Sequence, residues 1–253
     1  MNQAKVYHDK IKFVSGHSKW ATIHRQKEVK DAKRGAAFTK LAAAITMAVR
    51  EGGGVADANQ NFKLRLTIER ARQFNMPKEN ISRAVEKGSG ARGENDLETV
   101  MFEGFLPGGA VVMAEALTDN KLRTAQSVRM LLDKGGGNLG GSGSVGYMFS
   151  QQGEVRIASG GLGEEDELKM IDLGAEDIVK EDGEWVIYCQ KEKTFEVKAN
   201  LERGGYRVVG AELTMRPTVM VEVGDKSVQE RIEKILGALE DLEDVQKVWT
   251  NYA

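Results

Sequence analysis

EWVIYCQKEKTFEVKANLERGGYRVVGAELTM, residues 184–215, holds in compact form the pattern that decides the fold. Seven mainly apolar and aromatic residues are typical of a strand, a segment with helical spacing follows, and YRVVGAELTM is again typical of a strand. A similar order of elements precedes it: a strand at 154–158, a helix at 164–173 and a strand at 176–181. Residues 154–216 therefore predict the order β-α-β-β-α-β of a ferredoxin-like unit.

The segments on either side of this unit predict a second unit of the same kind. VMFEGFL and GAVVMAEAL flank Pro107 and Gly108, which indicates a hairpin or a bend between neighbouring strands. Joined across the gap, the flanks predict strands at 109–117, 144–150, 217–223 and 245–250 and helices at 121–134 and 226–240. We therefore expect an inserted ferredoxin-like domain at 153–216 within a discontinuous α+β domain formed by 89–152 plus 217–253.

The residues before this pair of units predict a helical domain at 15–88. Gly35, the glycines at 52–54 and the Asn75-Met76-Pro77 step divide it into helices at 21–34, 37–51, 59–74 and 77–87. The expected fold class is α+β and multidomain: an N-terminal helical domain followed by two α+β, ferredoxin-like domains, the third inserted into the second.

Charge is divided unevenly along the chain. The 253 residues have a formal net charge of −2, yet residues 1–92 hold 19 Lys and Arg against 8 Asp and Glu, a net charge of +11. Residues 93–253 hold 17 against 30, a net charge of −13. A cationic module joined to an acidic body can face a polyanion in only one orientation, which predicts a nucleic-acid partner.

The candidate contacts to phosphate lie at the front of the helical domain and on the flanks of its third helix. Lys27, Lys30 and Arg34 form one stripe at helical spacing, whereas Trp20 suits either stacking on an unpaired base or anchoring to the helical core. Lysine and arginine at this density suit phosphates, which they contact without reading sequence. The predicted nucleic-acid-binding residues are His17, Lys19, Trp20, Arg25, Lys27, Lys30, Lys33, Arg34, Lys40, Lys63, Arg65, Arg70 and Arg72.

Other patterns in the sequence predict structural roles and no catalytic site. GGGNLG at 135–140 and GSGARG at 88–93 match a dinucleotide-binding pattern, but both follow helices, so we interpret them as helix caps with flexible loops. Cys189 is expected to fill a core, and the acidic run at 164–167 to open a helix. With three histidines, all within residues 1–24, and one cysteine, we expect no catalytic residues, no metal and no cofactor.

The composition also bears on location. No apolar run approaches the roughly 20 residues that span a bilayer, and the first 14 residues lack the apolar core of a secretory signal. We expect a cytoplasmic protein with no membrane partner.

Several long motifs give the chain a family resemblance. They are GHSKW at 16–20, DAKRG at 31–35, FTKL at 38–41, EGGG at 51–54, NMPKENISRAVEKGSG at 75–90, FEGF at 102–105 and GGGNLGGSGSVGYMF at 135–149. On these residues the chain resembles the YebC/PmpR family of bacterial regulators, whose mitochondrial relatives act as translational activators of cytochrome c oxidase. Family chains tend to begin shortly before GHSKW, so we expect translation to start at Val14 and residues 1–13 to be an upstream extension.

The resemblance implies three domains, with the third inserted into the second, and it implies two kinds of nucleic-acid partner. Some family members are described as DNA-binding transcription regulators and others as ribosome-associated factors that aid translation. We therefore expect a non-enzymatic regulator of gene expression that binds either duplex DNA or ribosomal RNA. A protein-binding adaptor is the third alternative, and the oligomeric state, monomer or homodimer, stays open.

Overall fold

The computed structural model describes residues 34–90, 97–181 and 183–253, with Arg34 described through its backbone alone. Its α-helices are α1 (Arg34–Glu51), α2 (Phe62–Gln73), α3 (Lys78–Ser89), α4 (Lys121–Gly135), α5 (Glu164–Asp172), α6 (Thr194–Arg203) and α7 (Lys226–Glu240). Its strands are β1 (Glu98–Phe105), β2 (Val111–Thr118), β3 (Asn138–Leu139), β4 (Phe149–Ala158), β5 (Asp177–Glu181), β6 (Glu184–Gln190), β7 (Val208–Pro217) and β8 (Val245–Thr250). The expected fold class, helices followed by two α+β units, is confirmed.

Helices α1, α2 and α3 form one helical unit around the fully buried Ile45, Ala48 and Leu64. The buried Asn61 fixes the turn between α1 and α2. Its side chain accepts a hydrogen bond from the Leu64 N–H (3.0 Å) and donates to the carbonyls of Ala48 (2.8 Å) and Val55 (3.0 Å). Since one side chain caps α2 and also holds the end of α1, the two helices have a fixed angle.

The three described helices of this unit confirm those predicted at 37–51, 59–74 and 77–87, with one difference. Helix α1 begins at Arg34 and passes through Gly35, which was expected to separate two helices. A Cβ added at Gly35 would meet nothing within 4 Å, so neither packing nor backbone conformation requires a break there. The helix predicted at 21–34 lies outside the described residues except for its last position.

The first sheet has the strand order β3-β1-β2-β8, and α4 and α7 pack on one of its faces. The predicted hairpin is confirmed, because β1 and β2 pair antiparallel across the turn at Pro107–Gly109. Alternate residues of β2 face opposite sides: Val112 and Ala114 lie in the core beneath the helices, and Met113 lies on the other face. That second face packs against the other sheet.

The second sheet, in the order β5-β6-β4-β7, has the ferredoxin-like arrangement predicted for residues 154–216. All its neighbouring strands are antiparallel, and α5 and α6 cover one face through Met170, Val197 and Leu201. The elements of the first sheet lie before and after it in the chain, as expected. The boundaries 15–88, 89–152 plus 217–253, and 153–216 stay a prediction, and β4 runs continuously across residues 152 and 153.

Two strands predicted for the first sheet are wrong. Residues 144–148 form a loop and a short 3-10 turn at Gly146–Met148, and β4 begins at Phe149 and joins the second sheet. Residues 217–223 contribute only the bridge between Val221 and Tyr252. The central place next to β2 is taken by β1, which precedes it in the chain. Val145 and Val223 are buried without extending the first sheet, whereas Tyr147 and Val219 are exposed.

The glycine-rich segment after α4 is held by one buried carboxylate. Glu103 on β1, with 7% of its surface exposed, accepts hydrogen bonds from the N–H groups of Gly143 (2.7 Å), Val145 (2.7 Å) and Gly146 (2.8 Å). Burial alone raises the pKa of this carboxyl, but the three backbone donors outweigh it and lower the pKa below its ordinary value. Gly136, with φ of 85°, caps α4 as predicted, whereas the expected flexible loop is anchored at three points.

A second carboxylate, Glu212 on β7, joins the helical unit to both sheets. Its side chain, 31% exposed, pairs with Arg70 of α2 (3.5 Å) and Lys247 of β8 (2.6 Å). Desolvation raises the pKa of Glu212, but the charges of Lys247 and Arg70 outweigh it and leave the pKa well below the usual range. Nearby, Gln73 donates to the Val209 carbonyl (3.2 Å), so α2 docks on β7 through several polar contacts.

Replacing Glu103 with glutamine should destabilise the protein by about 1–3 kcal/mol, because the amide turns an NH₂ group toward backbone donors that need an acceptor. Urea unfolding at pH 7 measures this loss. The same change at Glu98, exposed on the same strand, should alter stability by less than about 0.5 kcal/mol. Because the pKa of Glu103 is lower in the folded than in the unfolded protein, its contribution to folding stability is present above the unfolded pKa of about 4.3. This contribution is lost as the pH falls through the pKa of the folded protein. Equal losses for both variants would contradict this role.

Replacing Arg70 with glutamine should loosen the docking of α2 on β7, because Glu212 keeps the cations of the sheets, Lys247 and Arg156, but loses its partner on α2. We expect faster backbone amide exchange in α2 and β7, detected by mass spectrometry, and a loss of stability of about 1 kcal/mol, since the pair is partly exposed. Arg72→Gln on the same helix is the matched control and should leave exchange in β7 unchanged. Unchanged exchange in the Arg70 variant would show that Glu212 does not hold the units together.

Candidate nucleic-acid interface

Most of the predicted phosphate contacts at the front of the chain lie outside the described residues. These are His17, Lys19, Trp20, Arg25, Lys27, Lys30 and Lys33, together with the side chain of Arg34. Their role stays a prediction. The structure describes the side chains of the other five predicted residues, Lys40, Lys63, Arg65, Arg70 and Arg72.

Helix α2 has two cationic rows, Lys63 with Arg70 and Arg65 with Arg72, and the rows have different surroundings. Lys63 is exposed and ion-paired with Glu51 at the end of α1, whereas Arg70, seven residues further, faces Glu212. Between the rows, Leu64 and Ala71 enter the helical core and Phe62 contacts the ring of Phe195 on α6. Helix α2 is therefore packed on two sides, and Arg70 lies at the junction between units.

The other row of α2, Arg65 and Arg72, lies on an exposed flank. Arg65 is held in place by hydrogen bonds to the carbonyls of Ala58 (3.0 Å) and Asn59 (3.3 Å), and its guanidinium lies 5.4 Å from the centre of the Phe62 ring. Arg72 is exposed in the last turn of the helix. Among the predicted phosphate contacts that the structure describes, Arg65 and Arg72 therefore have the spacing and the exposure that suit a polyanion.

Lys40 has a structural contact. It donates a hydrogen bond to the carbonyl of Glu240 in the last turn of α7, a position that favours a positive charge because helix carbonyls there lack helical partners. Lys40 therefore ties the helical unit to the first sheet's helices. Sequence spacing placed it among the phosphate contacts because a contact 200 residues away is not visible in the local pattern.

An open cleft of about 500 Å³ separates the helical unit from the first sheet. Helix α3 contributes Asn80, Arg83 and Lys87 to its lining, and these three residues were not in the predicted set. They have the same i, i+3, i+7 spacing as Lys27, Lys30 and Arg34. This spacing in NMPKENISRAVEKGSG is the sequence signal that could have identified them as candidate contacts.

Local geometry fixes the orientation of α3 toward this cleft. Asn75 has a left-handed backbone (φ 58°), Pro77 starts the helix with φ of −56°, and the Met76 side chain between them is buried. Across the helix pair, the Thr46 hydroxyl donates to the Ala84 carbonyl (3.0 Å). At Gly88 a Cβ would lie 2.6 Å from that of Val49, so only glycine allows α1 and α3 to approach this closely.

The opposite wall of the cleft combines apolar and acidic residues. Leu97 and Leu117 line it together with Glu243 and Asp244. The Asp244 carboxylate is already engaged, since it pairs with Arg123 (3.1 Å) and accepts a hydrogen bond from the Thr124 hydroxyl. Glu243 is exposed beside it. The cleft is therefore cationic on the α3 side, apolar in the middle and acidic on the far side.

The other sequence features have structural roles. Cys189 is fully buried in the core of the second sheet, as expected, and burial raises the pKa of its thiol to about 11. The acidic run opens α5, where Asp166 accepts the Gly163 N–H (2.9 Å) and has a lowered pKa mainly through that bond. Within residues 34–90, 97–181 and 183–253 no group of three or more metal-ligating side chains converges, and no helix has the length and apolarity to cross a bilayer.

Comparison with known proteins divides the chain between two family models. The family model described as TACO1/YebC protein N-terminal domain matches residues 18–91, and TACO1/YebC second and third domain matches residues 97–252. A probable transcriptional regulatory protein from Thermoanaerobacter pseudethanolicus is 45% identical over 94% of this chain and 96% of its own. A protein of the same description from Finegoldia magna is 44% identical, over 94% and 99%.

A solved structure agrees with the fold. The conserved hypothetical protein Aq1575 from Aquifex aeolicus superposes with a TM-score of 0.82 and 41% sequence identity, covering 88% of this chain and 91% of that one. Family models match both parts of the chain, and its relatives are identical to it at more than two positions in five. The solved structure shares its fold. This chain belongs to the TACO1/YebC family.

Proposed function

We propose that this protein is a non-enzymatic, nucleic-acid-binding regulator of gene expression that acts in the cytoplasm as a DNA-binding transcription regulator. The single observation that supports this most directly is the division of charge, +11 over residues 1–92 and −13 over 93–253. A polyanion is attracted to the first part and repelled by the second. The relatives' descriptions as probable transcriptional regulatory proteins favour DNA as the target.

The described helical unit fits this proposal at the flank of α2. Arg65 and Arg72 are exposed, and Arg65 is oriented by its two carbonyl contacts. In this proposal the cations at 15–40 continue the surface, with Lys27, Lys30 and Arg34 as its main stripe. Contacts of this kind hold the phosphate backbone and do not by themselves choose a sequence.

Ribosomal RNA is the second candidate target, and the cleft beside α3 favours it. A pocket of about 500 Å³ with apolar lining suits an unpaired base, which single-stranded RNA offers and an intact duplex hides. In this alternative the protein is a ribosome-associated translation factor. Sedimentation of a cell lysate separates the two targets, because a translation factor should travel with ribosomal particles at low salt.

Reversing the charge of the front stripe, as Lys27→Glu, Lys30→Glu and Arg34→Glu together, should weaken binding to a 30-base-pair duplex and to a ribosomal RNA fragment. Wild-type affinity should fall with salt at a slope of about −0.9 per contacted phosphate on duplex DNA, and the triple variant should lower that slope by about 3. Fluorescence anisotropy across 50–300 mM salt measures both quantities.

The matched control reverses three exposed cations of α4 in the acidic part of the chain, Lys121, Arg129 and Lys134. It changes net charge by the same amount and should leave the salt slope near the wild-type value. Equal affinity of the front variant and the wild type, or absence of wild-type binding to both nucleic acids at 50 mM salt, would overturn the proposed function. Retained binding of a protein partner by the front variant would favour the adaptor alternative.

A further inference from the structure

We propose that the cleft between α3 and the first sheet holds one unpaired nucleotide of a single-stranded nucleic acid, with its phosphate on Arg83 and Lys87 and its base in the apolar middle. The inference rests on the proposed binding of nucleic acid, whichever of the two targets applies, and adds a second, distinct site for an unpaired segment. The two cations of this site, Arg83 and Lys87, were not among the predicted nucleic-acid-binding residues. They lie about fifty residues further along the chain than the front stripe of Lys27, Lys30 and Arg34.

The first argument is the separation of charge around α3. Arg83, Lys87 and Asn80 line the cleft, whereas Glu79 and Glu86 are exposed and do not line it. Arg83 is oriented by hydrogen bonds to the Asn80 side chain and to the Glu79 carbonyl (3.4 Å). A helix with three cations and two acids thus presents a cationic face to the cleft, and this face is complementary to an anion.

The second argument is the apolar middle of the cleft. Phe38, Ala42 and Ala43 of α1 line one side with Met76, and Leu97 and Leu117 lie across from them. A phosphate alone does not require an apolar surface beside it, but a base does, because its flat faces are poorly solvated and pack well on apolar side chains. The volume of about 500 Å³ lies within the roughly 300–1,000 Å³ typical of small-ligand sites.

The third argument is the acidic wall, which determines how the nucleotide is oriented in the cleft. Arg123 and Thr124 engage Asp244, so Glu243 is the exposed carboxylate on that side. A carboxylate accepts hydrogen bonds from the exocyclic amino groups of a base and repels a second phosphate. The phosphate therefore lies toward α3 and the base edge toward Glu243. In an intact duplex the base is stacked and paired, and cannot enter.

The experiment uses the full chain and single-stranded RNA and DNA 12-mers that carry one 2-aminopurine, whose fluorescence rises when the base leaves the stack. Wild-type protein should bind and raise the fluorescence. Arg83→Glu should weaken single-strand binding about tenfold and abolish the rise, because a charge-assisted contact to phosphate is replaced by repulsion. Ala43→Leu, which fills the cleft without changing charge, should also abolish the rise.

Lys78→Glu is the matched control: it reverses one charge on the same helix at an exposed residue that does not line the cleft. It should change single-strand affinity less than threefold. Thermal melting of each variant separates lost binding from lost folding, and a melting point within a few degrees of wild type is required of Arg83→Glu, whose side chain is exposed. The RNA and DNA arms show which sugar the site accepts.

The outcomes separate this inference from the proposed function. If the cleft variants bind and unstack the 12-mers like wild type while the front triple variant fails, the cleft inference is overturned and the proposed function stands. If wild-type protein binds no nucleic acid, both are overturned. If Arg83→Glu lowers the affinity for an acidic peptide and not for the 12-mers, the occupant is a protein and the cleft inference is overturned.

Discussion

The carboxylate of Glu212 sets the arrangement of the three parts of the molecule. It lies on β7 of the second sheet, and its two cationic partners belong to different units, Arg70 to the helical unit and Lys247 to the first sheet. Moving α2 away from β7 would break the Arg70–Glu212 pair, which is partly exposed, so this pair adds a modest stabilisation to the contact of Phe62 with Phe195 and that of Lys40 with Glu240.

The same junction explains why net charge overstates the capacity of the helical unit to bind phosphate. Arg70 and Lys40 face other units of the same chain, and Lys63 pairs with Glu51. Each of these cations already has an internal partner that a phosphate would have to displace. Two groups of exposed cations on the described helical unit are candidates for phosphate, Arg65 with Arg72 on the flank of α2 and Arg83 with Lys87 on the cleft side of α3, and the two groups face different surroundings.

Much of the fold could be predicted from periodicity. The helices α1 to α4, the β1–β2 hairpin and the ferredoxin-like order of the second sheet all follow patterns that are local in sequence. The errors at 144–150 and 217–223 arise because buried residues such as Val145 and Val223 do not pair in the first sheet. Phe149 belongs to β4, and Val221 makes a single bridge with Tyr252. Local alternation shows that a residue is buried, but not which neighbour it pairs with.

The candidate site was less predictable, and the reason is physical. Sequence spacing identifies which cations share a helix face, yet the use of that face is decided by whichever element packs against it. Arg70 and Arg83 look alike in sequence, but β7 brings a carboxylate to Arg70, while α3 turns Arg83 toward an open cleft. The glycine-rich loop shows the same limit, since Glu103, forty residues earlier in the chain than Gly143, converts it from a flexible connection to an anchored one. Long-range contacts therefore decide the role of each cation in this fold. A cation that pairs with an acid of another unit holds the units together, and a cation that faces a cleft is available to a ligand.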